Sequence, residues 1–596
     1  MLEVAPYASW RSPLEDVVEE PLRRRDYVGS VAGKPAWIEN SGDNGANQLW
    51  VDDVGVTPKN RDIRSSLLGY SSRPWVAVSE TCVALILGND RTVAFMDLVT
   101  GEWEERVFAP GAVLGSICAL DGDAVLVADY GPTRERHIVR VSRSHDAWRV
   151  VTQTSSLVAD LTASSTTNRV AWLDWRNTSM PWEQCRIVIL TLDDTYNREE
   201  LTQKHHAYAQ PFFDGDDLLY SEEIDEWFVP RRRSCSNETI FPAGEFRPDW
   251  MLGRHWMAPT PEGVVSIYVH ESVTRLGIWR PDGRFDAFEG CPVAVRDIAT
   301  VGKRVLVLAD EENDRFTLTW FDPSTGTWEK LPVPSNHGTG QGVLQPSVRL
   351  TTRGTPFVFW PAHNDSYRAL EGDRPGLVVG LHGGPTGYAS LGYERLTDVL
   401  NQSGFDVVSV NYRGSASYGR TYRQALNGHW GDAEVHDVID VARSLQEEGL
   451  VDPRRTFVRG ASAGGFTALL ASRDDAFAGV VSLYGVTSLL QLAHSTHEFE
   501  SSYVALLVGT ADLNDAVYSE RSPLHHVGEL ASMLVIQGDL DEVVPKEQAD
   551  LLVQRAREAG VACEYLVLEG EGHGIRLSTN VLRARERELA FYRSID

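Results

Sequence analysis

Up to about residue 345 the apolar positions fall in short runs rich in aromatic and β-branched residues, closed by turn residues and recurring at roughly 35 to 50 residues. The runs cover 75–98, 113–151, 157–201, 208–229, 250–288 and 293–331, and such runs read as strands. Pro281-Asp282-Gly283 and Asp322-Pro323-Ser324-Thr325-Gly326 have the composition of hairpin turns. A sheet unit repeated at this spacing predicts the blades of a β-propeller, seven of them if Trp37 to Val51 opens the series. Two stacked β-sandwiches fit the spacing less well.

Past residue 345 the pattern changes. Buried-strand runs stand at Leu377–Leu381, Val407–Val410, Thr456–Val458, Val480–Leu483, Leu534–Ile536 and Tyr565–Leu568, separated by stretches long enough for crossover helices. An α/β domain with a mainly parallel, doubly wound sheet is expected. The organisation expected overall is an N-terminal segment over 1–30 that packs on the later domain, a propeller over 31–343 and the α/β domain over 344–596. A short helix is signalled by an N-cap at Ser12, Pro13 at the first position and Glu15 at the third, with Pro21 ending the run. Gly338, Gly340 and Gly342 read as interdomain linker, because no strand precedes them and no helix follows, as a phosphate loop would require.

Charge narrows the field. The chain has 84 acidic against 56 basic residues, a net of −28, which repels nucleic acid and anionic lipid. The clusters Arg23–Arg25 and Arg231–Arg233 read as solvated surface. No apolar stretch is long enough for a membrane helix and Met1 to Trp10 lacks the features of a signal peptide, so a cytoplasmic protein with no membrane partner is expected. The 6 cysteines are scattered with no Cys-x-x-Cys pair and read as buried free thiols. His429, His436, His494, His497, His525 and His526 lack the spacing of metal ligands and read as structural or surface residues.

The chemistry concentrates in the α/β domain. Strand Thr456–Val458 runs into Gly460-Ala461-Ser462-Ala463-Gly464-Gly465 and then the helix-forming Phe466 to Ala471, a Gly-x-Ser-x-Gly in strand–turn–helix context. This turn holds a nucleophilic serine in a strained conformation, and side chains two positions away would collide with strand and helix. Such a serine needs a base and an acid, which follow in the order Ser, Asp, His in an α/β-hydrolase fold. Asp541, after the strand Leu534–Ile536, and His573, after the strand ending at Leu568, fit both order and placement. Ala463 and the loop His382-Gly383-Gly384-Pro385, through Gly384, are the expected oxyanion donors. Glu183, Tyr484, Phe499, Glu500 and Tyr503 are candidates for touching substrate, the two glutamates as acceptors for an α-amino group.

Together, His382-Gly383-Gly384-Pro385, Asn411-Tyr412-Arg413-Gly414-Ser415, the Ser462 elbow, Gly538-x-x-Asp541-x-x-Val544-Pro545 and Glu569-Gly570-Glu571-Gly572-His573-Gly574 resemble the prolyl oligopeptidase family, in its acylaminoacyl-peptidase and dipeptidyl-aminopeptidase branch. The resemblance implies a seven-bladed propeller over an α/β-hydrolase domain and a serine peptidase acting on short peptides or acylated amino acids. No metal or organic cofactor is implied, and homo-oligomerisation is left open. An esterase, amidase or acyl transferase or cyclase acting on a specialised small molecule or modified peptide would use the same machinery. A propeller binding protein that has lost its chemistry is the reading from another class.

Overall fold

The computed structural model describes residues 2–595 apart from 16–21, 41, 43–45, 70–71, 90, 132–134, 144–147, 194–195, 204–205, 235–238, 248–251, 312 and 335–345. Among the described residues seven antiparallel sheets follow one another in the N-terminal half, each built of strands consecutive in sequence; six have four strands and the fifth, Tyr208 to Arg232, has three. They span Arg24–Gly55, Trp75–Val107, Val113–Thr154, Leu157–Leu201, Tyr208–Arg232, Met257–Phe288 and Ala294–Lys330. This is the seven-bladed propeller that the repeats predict. The expected turns form where glycine or aspartate supplies them: Gly283 and Gly326 take φ 87° and 71°, and Asp322 accepts the Ser324 N–H at 2.9 Å.

The innermost strands share one irregularity. In four of them the register slips around a non-glycine residue of positive φ, namely Tyr27, Ser116, Asp160 and Gln210 at 52°, 53°, 49° and 50°. Such bulges sharpen the strand twist where the blades converge on the central channel. A cavity of about 340 Å³ lies there, lined by Asp160, Gln210 and His255 among others.

Ring closure corrects two expectations. The first blade starts at Arg24, ahead of the expected boundary at 31, and its innermost strand abuts that of the last blade. The Val28 N–H donates to Asp297 at 2.9 Å across this seam. Arg25 crosses it too, pairing with Glu39 at 2.8 Å and donating to the Phe316 carbonyl at 2.9 Å. Only 1% exposed, Arg25 is a buried tie between blades, not solvated surface. Arg231, Arg232 and Arg233 do lie at the rim, paired with Glu222, Asp214 and Glu199.

The second half is an eight-stranded sheet in the order Ser347–Leu350, Pro356–Trp360, Phe405–Val410, Gly376–Leu381, Thr456–Ala461, Gly479–Leu483, Ser532–Gly538 and Cys563–Leu568. The last six run parallel; the first two are antiparallel and were not apparent as strands, since a few apolar residues such as Phe357 to Trp360 do not distinguish a strand from buried coil. Helix Arg395–Gln402 and the C-terminal helix Ser578–Ser594 pack against one face, and helices Ala433–Glu447 and Lys546–Glu558 against the other.

At the N-terminus Glu3–Val4 pairs with Tyr367–Arg368, and Glu15 pairs with Arg593 at 2.5 Å, so the segment lies on the α/β domain. The helix signal at Ser12 yields one turn: Leu14 N–H donates to Ser12 Oγ at 3.1 Å and Ser12 N–H to Glu15 Oε1 at 2.9 Å, the reciprocal pattern of a capping box. Its expected continuation to Pro21 lies outside the described residues, as do the linker glycines Gly338, Gly340 and Gly342. Among the described residues the cysteines Cys82, Cys118, Cys185, Cys291 and Cys563 are free thiols, the first three buried, and no helix is long and apolar enough to cross a membrane.

Candidate active site

Strand Thr456–Ala461 ends in a turn that helix Ala463–Ala471 leaves at once, and Ser462 at the corner takes φ 56°, a conformation costly for any side chain with a Cβ. The glycines around it are steric necessities. A Cβ at Gly460 would stand 2.2 Å from the Gly464 carbonyl oxygen, and one at Gly464 would stand 2.5 Å from that of Leu381. Strand, elbow and helix can therefore approach only with hydrogen at both positions.

Three side chains from different strand ends meet at the corner. His573 Nε2 lies 2.9 Å from Ser462 Oγ, and His573 Nδ1 lies 2.9 and 3.1 Å from the two oxygens of Asp541. Because a carboxylate accepts, Nδ1 carries the proton and Nε2 is the acceptor for the serine hydroxyl. Asp541 is buried, and its remaining capacity is filled by the N–H groups of Val543 and Val544, both at 2.9 Å, and by Gln537 Nε2 at 3.2 Å. Asp539, two residues earlier, instead accepts the Gly570 N–H at 2.7 Å near the surface.

A cavity of about 420 Å³ opens over Ser462, with Gly384, Ala463 and His573 in its wall. The backbone N–H groups of Gly384 and Ala463 have no acceptor among the described residues. His382 anchors the loop that carries Gly384: it stacks on Tyr412 at 4.3 Å, its Nε2 lies 2.7 Å from Ser415 Oγ and its Nδ1 donates to the Gly383 carbonyl at 2.9 Å. Burial lowers its pKa to about 4 and keeps the ring neutral.

Of the five residues expected to touch substrate, Tyr484, Glu500 and Tyr503 line this cavity. Tyr484 meets the His573 ring edge to face at 5.0 Å. Phe499 is buried behind the wall, edge to face with Trp175 of the fourth blade at 6.0 Å. Glu183 is held on the propeller side, accepting from Gln424 Nε2 at 2.7 Å and lying 3.8 Å from Arg423. The apolar part of the cavity wall, made by Trp430, Leu492, Val504 and Leu507, was not singled out from sequence. Nor was Gln537. Nothing local marks such residues; their neighbours are distant in the chain.

Comparison with known proteins finds matches in both sequence and fold. Residues 393–595 match the family model described as prolyl oligopeptidase family. Dipeptidyl aminopeptidase BIII of Pseudoxanthomonas mexicana is 28% identical over 274 residues, 44% of this chain and 40% of that protein. The acylamino-acid-releasing enzyme of Arabidopsis thaliana is 28% identical over 209 residues, 33% of this chain and 27% of that protein. The matches thus span less than half the length of either relative. A solved structure of a Mycobacterium tuberculosis puromycin-hydrolyzing peptidase superposes with a TM-score of 0.91 at 25% identity, over 100% of this chain and 98% of that chain. The similarity to the prolyl oligopeptidase family thus lies in residues 393–595, the part of the chain that carries Ser462, Asp541 and His573.

Proposed function

We propose that the protein is a serine peptidase that hydrolyses short peptides or acylated amino acids through an acyl-enzyme on Ser462. The observation that carries this reading is the continuous hydrogen-bonded line from Asp541 through His573 to Ser462 Oγ at a cavity wall. Ser462 Oγ attacks the scissile carbonyl while its proton passes to His573 Nε2, and the carbonyl oxygen becomes an anion held by the N–H groups of Ala463 and Gly384. Collapse breaks the C–N bond, and the leaving amine takes the proton from His573. Water then repeats the sequence on the ester, releasing the acid and restoring the serine. Asp541 keeps the imidazole in the productive tautomer and stabilises its cationic form.

The lining of the cavity supports a place for the acyl side. Trp430, Leu492, Val504 and Leu507 form an apolar slot for the side chain that precedes the scissile bond, and Glu500 is a carboxylate within reach of an α-amino group. The names of the relatives, a dipeptidyl aminopeptidase, an acylamino-acid-releasing enzyme and a puromycin-hydrolyzing peptidase, support a small substrate cut near its N-terminus. Ser462→Ala should leave the fold intact and lower kcat on an aminoacyl anilide by about 10⁶-fold. Circular dichroism and steady-state kinetics decide the matter, and retention of a tenth of the activity would overturn it.

A further inference from the structure

A second and larger cavity, about 770 Å³, lies between the first and last blades and the α/β domain, with Ile575 and Arg576 in its wall. It shares His382 and Tyr388 with the cavity over Ser462, so the two lie side by side. Its volume falls in the range of small-ligand sites, roughly 300–1,000 Å³. Its wall carries far more arginines than carboxylates, in a chain whose net charge is −28.

Several of these arginines have partners: Arg296 pairs with Asp310, Arg459 with Glu588 at 2.5 Å and Arg315 with Glu394 at 3.2 Å. Two do not. Among the described residues no carboxylate pairs with Arg24 or Arg576; Arg24 Nη2 donates only to the Ile575 carbonyl, at 3.2 Å, and the Arg576 guanidinium extends from the next residue. Burial, followed by the nearby charges of Arg576 and Arg315 and only partly offset by Glu571, pulls the Arg24 pKa down to about 10. Like charges gathered in a partly buried wall are unfavourable unless an anion completes them.

We propose that Arg24 and Arg576 form a carboxylate subsite on the leaving side of the scissile bond, where they hold the free C-terminus of a short peptide. The inference rests on the proposed role of Ser462 for its direction. The leaving amine takes its proton from His573, so the departing part of the substrate lies on the imidazole side, and Ile575 and Arg576 follow His573 two and three residues on in the chain. The acyl part occupies the apolar slot on the other side of Ser462. A peptide with only one or two residues after the cut would bring its carboxylate to the arginines, and the planar fork of a guanidinium matches a carboxylate in geometry. Substrates of this class are peptides short enough to end inside the cavity.

The test separates this subsite from the chemistry. Binding of Ala-Ala-Ala and of its C-terminal amide to the Ser462→Ala protein is measured by calorimetry, with no turnover required. The free acid should bind at least about tenfold more tightly, the scale of a charge-assisted hydrogen bond. That ratio should fall toward one when Arg576→Gln or Arg24→Gln is added. Arg576 is exposed, so its variant folds whatever becomes of the more buried Arg24. Equal binding of acid and amide to the Ser462→Ala protein overturns the proposal, as does an equal loss for both ligands in the Arg576→Gln protein. Hydrolysis of an aminoacyl anilide by the unmodified protein is followed in parallel. Its absence would strike at the role of Ser462 while leaving the calorimetric ratio to decide the subsite.

Discussion

Asp541 and Asp539 stand two residues apart in one loop, and their surroundings assign them different work. Asp541 faces His573 with its other lone pairs filled by Val543, Val544 and Gln537, so the carboxylate is fixed before substrate arrives. Asp539 only ties the loop to Gly570. Replacing Asp541 by asparagine would present an amide that can hold the ring in the wrong tautomer and cannot stabilise imidazolium, so kcat should drop about 10⁴-fold with KM little changed. Asp539→Asn removes a turn contact worth about 1 kcal/mol and should cost tenfold at most. Steady-state kinetics of both variants check the assignment, and the reverse order would leave the proposed acid wrong while sparing Ser462 and His573. At this scale the sequence is most readable where glycines bracket a reactive side chain, as at Ser462 and His573. It is silent on Gln537 and Trp430, whose places are set by packing between distant segments.

The element that carries the chemistry is the strand–elbow–helix unit, and its geometry is set by what cannot fit. A Cβ on Gly464 would meet the Leu381 carbonyl oxygen at 2.5 Å and that of His382 at 2.7 Å, both backbone atoms that no rotamer change can move. Relief requires the helix to part from the strand Gly376–Leu381 and the loop after it, which carries Gly384. Gly464→Ala should therefore lower stability by several kcal/mol, as overpacking and backbone strain do, and should lower kcat by more than it raises KM. Gly528→Ala is the control, since a Cβ there meets nothing within 4 Å. Thermal unfolding and kinetics of the pair test the argument, and equal behaviour would refute it. Strands of this kind were legible because they are buried on both faces and read as continuous apolar runs. The edge strand Ser347–Leu350 and its neighbour Pro356–Trp360 were not, and the first blade was placed late because Arg23–Arg25 looked like surface. The burial of Arg25 depends on a partner, Glu39, and on a seam with the last blade that no local pattern announces.

At the scale of the whole molecule the propeller closes over the α/β domain nearly all the way round. Arg136 in the third blade donates to Glu498 at 2.6 Å, and Trp182 in the fourth meets Tyr503 edge to face at 5.8 Å. From the fifth blade Glu223 and Glu226 engage Arg423 and Thr421, and from the sixth Ser272 accepts from Asn411 at 2.9 Å. Arg315 in the last blade and Arg24 in the first complete the circle on Glu394 and Ile575. Arg423 is only 2% exposed and has two buried glutamates, Glu223 and Glu245, around it. The cavities inside, about 420 and 770 Å³, hold a few residues of extended chain and no folded domain. Under the proposed activity, cleavage should therefore fall as substrate length grows. Fluorescein-labelled native protein and full-length casein should stay intact under conditions where a dipeptidyl anilide is consumed. Electrophoresis of the protein substrates alongside the anilide assay reads the result directly. Digestion of intact folded protein at a rate comparable to the anilide would mean that the propeller does not exclude, and that the contacts linking Arg136, Glu223, Ser272 and Arg315 to the α/β domain open readily in solution.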